Sequence, residues 1–292
     1  MPSNEFHIDI TEADLLPATV LAQASELSIG QLKKIMQKGA VWLSDEHGTH
    51  RLRRAKKPLK PGSSLHFYYN PEVLDAEVPV PALIADEGDY SIWVKPRGLL
   101  SQGSKWGDHH AIDRWIATHD EKQRPAFIVH RLDRAAIGIM LIAHGKKTAA
   151  KLAEAFARKQ ITKTYRAAVT GEYPESIYPI TITTPVAEKA ATSHFRRLFY
   201  DAKNKQSWLS IKIESGRKHQ IRIHLNEQGF PVVGDRLYGN DDSENLQLYA
   251  AQLAFECPIS QQPKHYSLPA SFLPNHWDPD TTTKIIAPPT QV

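Results

Sequence analysis

The sequence predicts a mixed α/β (α+β) protein in two parts: a small basic unit, then a larger one in which strands and helices alternate. Three observations lead there. The chain has 292 residues, and about 100–200 residues per domain is usual. A stretch punctuated by Pro71, Pro79 and Pro81 has the composition of an interdomain connector, because proline stiffens an exposed chain and removes a backbone donor. On both sides of it, apolar residues recur either at helical spacing or in strict alternation. The expected division is a first domain at 1–70, a connector at 71–81, a main domain at 82–275 and a polar tail at 276–292.

In the first part, residues 18–27 read as a short helix with Val20, Leu21 and Ala24 on one side. Ser28 is placed as the N-cap of a second helix, where Ile29, Leu32, Ile35 and Met36 fall at helical spacing before Gly39 stops it. Ala40-Val-Trp-Leu-Ser44 reads as a strand, Lys60-Pro-Gly62 as a turn, and Leu65-His-Phe-Tyr-Tyr69 as another strand. In the main part, Tyr90-Ser-Ile-Trp-Val94 is a strand and residues 111–117 a helix. Residues 146–159 form a longer helix, with Ala149, Leu152, Ala153 and Phe156 along one face. Residues 163–170 and 208–214 alternate with period two and are half-buried strands. Trp93 and Phe127 are assigned to the core.

Composition sets bounds on function. Hydrophobic residues make up 41% and charged residues 23%, which is ordinary for a globular chain. The single cysteine, Cys257, excludes a disulfide framework and a cysteine-built metal centre, and reads as a small buried hydrophobe. No apolar run reaches the ~18 residues that a membrane span needs. The first residues are acidic and lack the basic-then-apolar order of a signal peptide, so a cytoplasmic protein with no membrane partner is expected. The net charge of +4 is unevenly spread, with −5 over residues 1–30, +7 over 31–60 and +8 over 121–166. Two separated basic stretches suit a surface that tracks phosphates. In the first stretch the candidate contacts are Lys33, Lys34, Arg51, Arg53 and Arg54.

The densest chemistry lies in Ile128-Val-His-Arg-Leu-Asp-Arg134, where Asp133 stands between Arg131 and Arg134, three residues after His130. Neighbouring guanidinium groups keep a partly buried carboxylate ionised, and such a carboxylate can act as nucleophile or general base. The commoner use of such a trio is an Arg–Asp tie between a loop and the core. A second cluster is Glu214-Ser-Gly-Arg-Lys-His-Gln-Ile-Arg-Ile-His-Leu225, and a third is Gly234-Asp-Arg-Leu-Tyr-Gly239. Metal readings are poor. Adjacent His109 and His110 diverge on most backbones, and His119-Asp120 has no second ligand cluster. His219 and His224 are assigned structural hydrogen bonds.

These motifs, in this order and together with Lys163-Thr-Tyr165 and the lead-in Lys95-Pro-Arg-Gly98, resemble the RluA-type pseudouridine synthases over roughly residues 82–275. The helix–helix–strand order of the first part resembles the small RNA-binding domain of the ribosomal S-four type. The resemblance implies a pseudouridine synthase fold, with a mainly antiparallel sheet flanked by helices and loops. It also implies a monomeric enzyme without cofactor or metal that isomerises uridines in ribosomal or transfer RNA. By motif, Asp133 would be the catalytic carboxylate, Arg217 its salt-bridge partner and Tyr165 the aromatic floor under the flipped base. Arg131 would enter the RNA stack, with His130, Lys163 and Arg222 as further RNA contacts. The sequence departs from the family where Thr-Ser is usual after the aspartate, since Ala136 and Ile137 stand there, and Ser215 stands for a usual Thr. That departure keeps a second reading open, a non-catalytic RNA-binding protein on the same fold. A metal-dependent phosphohydrolase ranks third.

Overall fold

The computed structural model describes residues 3–274; the expected tail at 276–292 lies outside them. The chain separates into two compact units. One is the chain up to Pro79 together with Leu99–Arg124, and the other is Val80–Gly98 together with the chain from Pro125 onward. The segment 99–124, which the sequence reading groups with the main domain, therefore packs with the first unit.

The first unit holds an antiparallel sheet of β1 (Asn4–Asp9), β4 (Ser64–Tyr69), β2 (Val41–Asp45) and β3 (Gly48–Arg51), in that spatial order. Helices α1 (Pro17–Ala24) and α2 (Ile29–Gln37) cover it, and Leu21, Leu32 and Met36 meet Leu65 and Phe67 in a dry core. Ser28 caps α2 as the sequence predicts: its Oγ accepts from Gln31 N at 3.3 Å and its own N donates to Gln31 Oε1 at 2.9 Å. The connector is not bare, because Asn70 caps a short helix, α3 (Pro71–Asp75), that buries Leu74. From the later segment comes α4 (Ile112–His119), held by buried Ile112 and Ile116.

The second unit is built on one ten-stranded sheet. Its main path runs β10 (Ile180–Ile182), β11 (Ser193–Asp201), β12 (Gln206–Ile213), β9 (Thr162–Thr170), β13 (Leu248–Glu256), β8 (Ile137–Ala143), β6 (Tyr90–Lys95) and β5 (Ala82–Asp86). β7 (Phe127–Ile128) pairs with β8, and β14 (Pro263–Ser267) with β13. Every pairing is antiparallel except β8 with β13, so the sheet is mainly antiparallel, as expected. Strand alternation gives each face its own core. On β9, Tyr165, Ala167 and Val169 face one cluster and Ala168 the other; on β12, Trp208 opposes Leu209 and Ile211. Helix α5 (Lys146–Ala157) packs Leu152 into the Trp208 side, while α6 (Gln220–Glu227) packs Ile221 and Leu225 into the Tyr165 side. Trp93 and Cys257 are buried and Phe127 is packed against the core. Among the described residues, no helix is long and apolar enough to cross a membrane.

Candidate active site

The site grows from the loop between β7 and β8. Lys95, the last residue of β6, is fully buried, and its Nζ donates to the carbonyls of Pro96 and Ala136 at 2.9 Å and of Arg134 at 3.4 Å. Burial pushes the Lys95 ammonium down to about 7, with the charge of Asp133 opposing. The loop closes on itself as Ala136 N donates to Asp133 O at 3.2 Å. Gly138 follows at φ +143, where a Cβ would lie 2.5 Å from the nitrogen of Ala250 on β13, so only glycine allows the strands this close. The missing Thr-Ser hydroxyls therefore leave no loose loop. Backbone carbonyls gathered on Lys95 hold it, and Ile137 pairs with Tyr249 across the parallel join.

The half-buried carboxylate of Asp133 faces a guanidinium and an imidazole. Arg222 Nη1 lies 3.6 Å from Oδ2 and His219 Nε2 lies 3.9 Å from Oδ1. Arg222 sits in the first turn of α6 and is itself clamped, Nε and Nη2 donating to Asp235 Oδ2 and Oδ1 at 2.8 and 2.6 Å. Burial works against the Arg222 charge, but hydrogen bonds and charge from Asp235, with Asp133 beyond, outweigh it and raise the guanidinium. Burial would lift Asp235 too, yet Arg222 and the backbone N–H groups of Tyr238 and Leu237 hold it below the usual carboxylate range. Tyr238 completes the frame: its ring lies under Arg222 at 5.1 Å and its hydroxyl pairs with His219 Nδ1 at 2.9 Å. Burial lowers His219, with Asp133 opposing. Tyr165 shares the cavity; burial first, then the charge of Asp133, raises its phenol and keeps it neutral.

The structure brings Asp133, Tyr165, Arg131 and Arg217 to one cavity, but it reassigns the ion pair. Arg217 is exposed on the turn before α6, where its Nε donates to Ala190 O at 3.2 Å. The partner of Asp133 is Arg222, because the helix that begins at Gln220 turns its first loop of chain inward. At 6% exposure, Arg222 is a buried member of the site rather than the phosphate contact expected. Ser215 keeps a hydroxyl's part, donating to Gln220 Oε1 at 2.8 Å. His130 is occupied by the fold. Its Nε2 accepts from Leu141 N at 2.9 Å, its ring stacks on Phe156 at 4.5 Å, and burial, then the charge of Lys163, pushes it down to about 3. Lys163 lies two residues before Tyr165 on β9, half-buried, with Nζ 5.8 Å from the Phe156 ring. His224 makes structural bonds to Ser193 Oγ and Thr184 O, as expected.

The basic run of the first unit divides in two. Lys33, Lys34 and Arg54 are exposed, and Lys33 and Arg54 share an open groove with Lys56 and Lys57. Arg51 and Arg53 are instead bound internally by Asp108, with Arg51 Nε 3.2 Å from Oδ2 and Arg53 Nη2 on the same oxygen. Arg51 also covers the Trp42 ring at 4.2 Å and donates to Ser104 O at 2.8 Å. Arg51 is thereby drawn to a carboxylate within the unit, while Arg53, also held by Asp108, still lines the basic groove.

Sequence reasoning passed over the Asp235–Arg222 clamp and Tyr238, although Gly234-Asp-Arg-Leu-Tyr-Gly239 was visible as a motif. Comparisons with known proteins bear on this geometry. The family model described as RNA pseudouridylate synthase matches residues 89–227. The dual-specificity RNA pseudouridine synthase RluA of Vibrio parahaemolyticus is 30% identical over 65% of this chain and 84% of its own length. The ribosomal large subunit pseudouridine synthase D of Borreliella burgdorferi is 28% identical over 72% and 73%. The solved structure of human RNA pseudouridylate synthase domain containing 1 shares the fold, with a TM-score of 0.56 and 22% identity over 68% of this chain and 87% of that one. The chain belongs to the RluA-type RNA pseudouridine synthases.

Proposed function

We propose that this enzyme isomerises specific uridines of ribosomal or transfer RNA, with Asp133 as the catalytic carboxylate. The observation that carries the reading is an aspartate 3.6 Å from a guanidinium that Asp235 already orients, sharing a cavity with a neutral tyrosine. The isomerisation breaks the bond from the sugar to base nitrogen, turns the base and rejoins it through carbon 5, which then loses its proton. An ionised Asp133 serves either route to that result, adding to the sugar or removing a sugar proton to leave a glycal. Arg222 stabilises the anion without donating a proton to it, since a guanidinium does not deprotonate in a protein. The Tyr165 ring gives the detached uracil a planar floor.

The base must first leave its stack, at a cost of a few kcal/mol. Exposed Arg131, at the cavity mouth, suits the role of filling the vacated position. The first unit supports RNA binding as an S-four-type domain through Lys33, Lys34 and Arg54, with Arg53 on the same groove and Arg51 held by Asp108. The enzyme would act as a monomer in the cytoplasm, where its RNA is.

Asp133→Asn tests the reading. Tritium release from carbon-5-labelled RNA is expected to vanish, while RNA affinity stays within a few-fold of wild type. Removing a carboxylate from among Arg131, Arg134 and Arg222 does not weaken attraction for phosphate. A thermal melt must accompany the assay, because the variant removes one partner of Arg222. Substantial turnover by folded Asp133→Asn protein sinks the assignment.

A further inference from the structure

The loop from Arg131 to Ala136 has two working faces. Arg131, Leu132, Asp133 and Ala136 line the cavity with Tyr165, whereas Arg134 and Ala135 line a second cavity of about 400 Å³. That volume lies within the ~300–1,000 Å³ range of small-ligand sites. Arg222 forms part of its wall, so the residue that faces Asp133 also borders this second space.

The chemistry of the second cavity is cationic with an apolar lip. Arg97, Arg134 and Arg236 surround it, against one carboxylate, Glu244, whose Oε2 accepts from Gln247 Nε2 at 3.0 Å. Arg97 is fixed by bonds to Ala135 O at 3.2 Å and Leu246 O at 2.7 Å. Leu237, 60% exposed, stands beside Arg236 on the rim. The rim is built rather than incidental. Asp235 Oδ1 accepts from Leu237 N and Tyr238 N at 3.0 and 3.1 Å, and Gly234 holds φ +74 where a Cβ would lie 2.5 Å from the Asn245 carbonyl. One carboxylate, Asp235, thus positions both the arginine behind Asp133 and the turn that presents Arg236 and Leu237.

We propose that this cavity holds the nucleotide next to the flipped uridine, its phosphate on Arg134 and Arg236 and its base against Leu237. The inference rests on the uridine-isomerising reading of the Asp133 site. A continuous strand, rather than a free mononucleotide, fits a space that shares the Arg222 wall with that site. Guanidinium groups recognise phosphate oxygens in pairs, and an aliphatic surface beside them accepts any base face, so the subsite selects a strand rather than a sequence.

The test is binding of a short fluorescent oligouridylate across a salt series, with uridine monophosphate as competitor. Arg236→Gln is expected to raise Kd roughly tenfold and to lower the slope of log Kd against log salt by about 0.7, the single-strand value for one phosphate contact. Leu237→Ala is expected to raise Kd with the salt slope unchanged. In turnover of carbon-5-tritiated RNA, both effects fall on KM rather than kcat. Both side chains are exposed, so melting temperatures stay at the wild-type value. Unchanged Kd and salt slope in folded Arg236→Gln protein overturn the proposal, as does full displacement of the strand by uridine monophosphate at equal concentration. Activity retained by Asp133→Asn would overturn the catalytic reading instead, and the binding series tells the two failures apart.

Discussion

Each unit contains a cluster of arginine and aspartate, and the two combine these groups in opposite proportions. In the first unit, one carboxylate, Asp108, takes two guanidinium groups, those of Arg51 and Arg53. In the second, one guanidinium, Arg222, is shared by two carboxylates, with a close bidentate pairing to Asp235 and a longer approach to Asp133. The first arrangement uses up charge that a sequence reader would offer to RNA. The second leaves Asp133 with a cation at 3.6 Å, a longer reach than the 2.6 Å pairing to Asp235, so its carboxylate is not taken up by a close ion pair. Geometry, rather than the mere presence of opposite charges, separates a close tie from a carboxylate left loosely paired.

The contrast can be broken most directly at Arg222. Arg222→Lys keeps the charge but loses the fork that reaches both carboxylates, and kcat is expected to fall roughly 100-fold, the scale of losing one preorganised electrostatic group. Arg217→Lys, on the turn before α6, should cost far less and register in KM; equal losses in kcat would return the ion pair to Arg217.

Next in size is Asp235→Asn, which leaves a buried guanidinium without its close partner, a loss of about 3–5 kcal/mol in stability. Asp235 is held below the usual carboxylate range, so its contribution is present above that range and disappears as pH falls through the lowered folded value. Denaturant melts should therefore show the wild-type advantage shrinking in acid, and an advantage constant down to the acid limb would contradict the clamp. The smallest effect is expected from Asp108→Asn. It should lower stability by roughly 1–2 kcal/mol, as loss of a charge-assisted bond does, while turnover per folded molecule is kept. Loss of turnover without loss of stability would show that Asp108 does more than tie the arginines.

Much of the site was legible because it is local. His130-Arg-Leu-Asp133 and Lys163-Thr-Tyr165 are short runs, the first in the loop before β8 and the second on a strand whose alternation is plain in the sequence. The ion pair was not legible, because Ser215 to Leu225 reads as one basic cluster until it is wound into a helix. Ile221 and Leu225, four apart and both buried, were the signal for α6, and they put Arg222 rather than Arg217 on an inward turn. The internal use of Arg51 and Arg53 was hidden for another reason: Asp108 lies more than fifty residues further on. Strand β1 was also missed, since its burial alternates only at Phe6 and Ile8 among polar neighbours.

The single parallel join in the sheet has a consequence for how the enzyme comes to exist. Ile137 and Gly138, just after the loop that carries Asp133, take their places beside Tyr249 and Ala250, on the order of a hundred residues later. Contacts of such separation are slow to form, because the intervening chain must be closed first. During synthesis the aspartate and its tyrosine emerge before the strand that seats their loop against the sheet. A nascent chain cut short before Ala250 would carry every residue of the HRLD motif without the neighbour that Gly138 is shaped to meet. Seating of the Asp133 loop is thereby coupled to synthesis of β13.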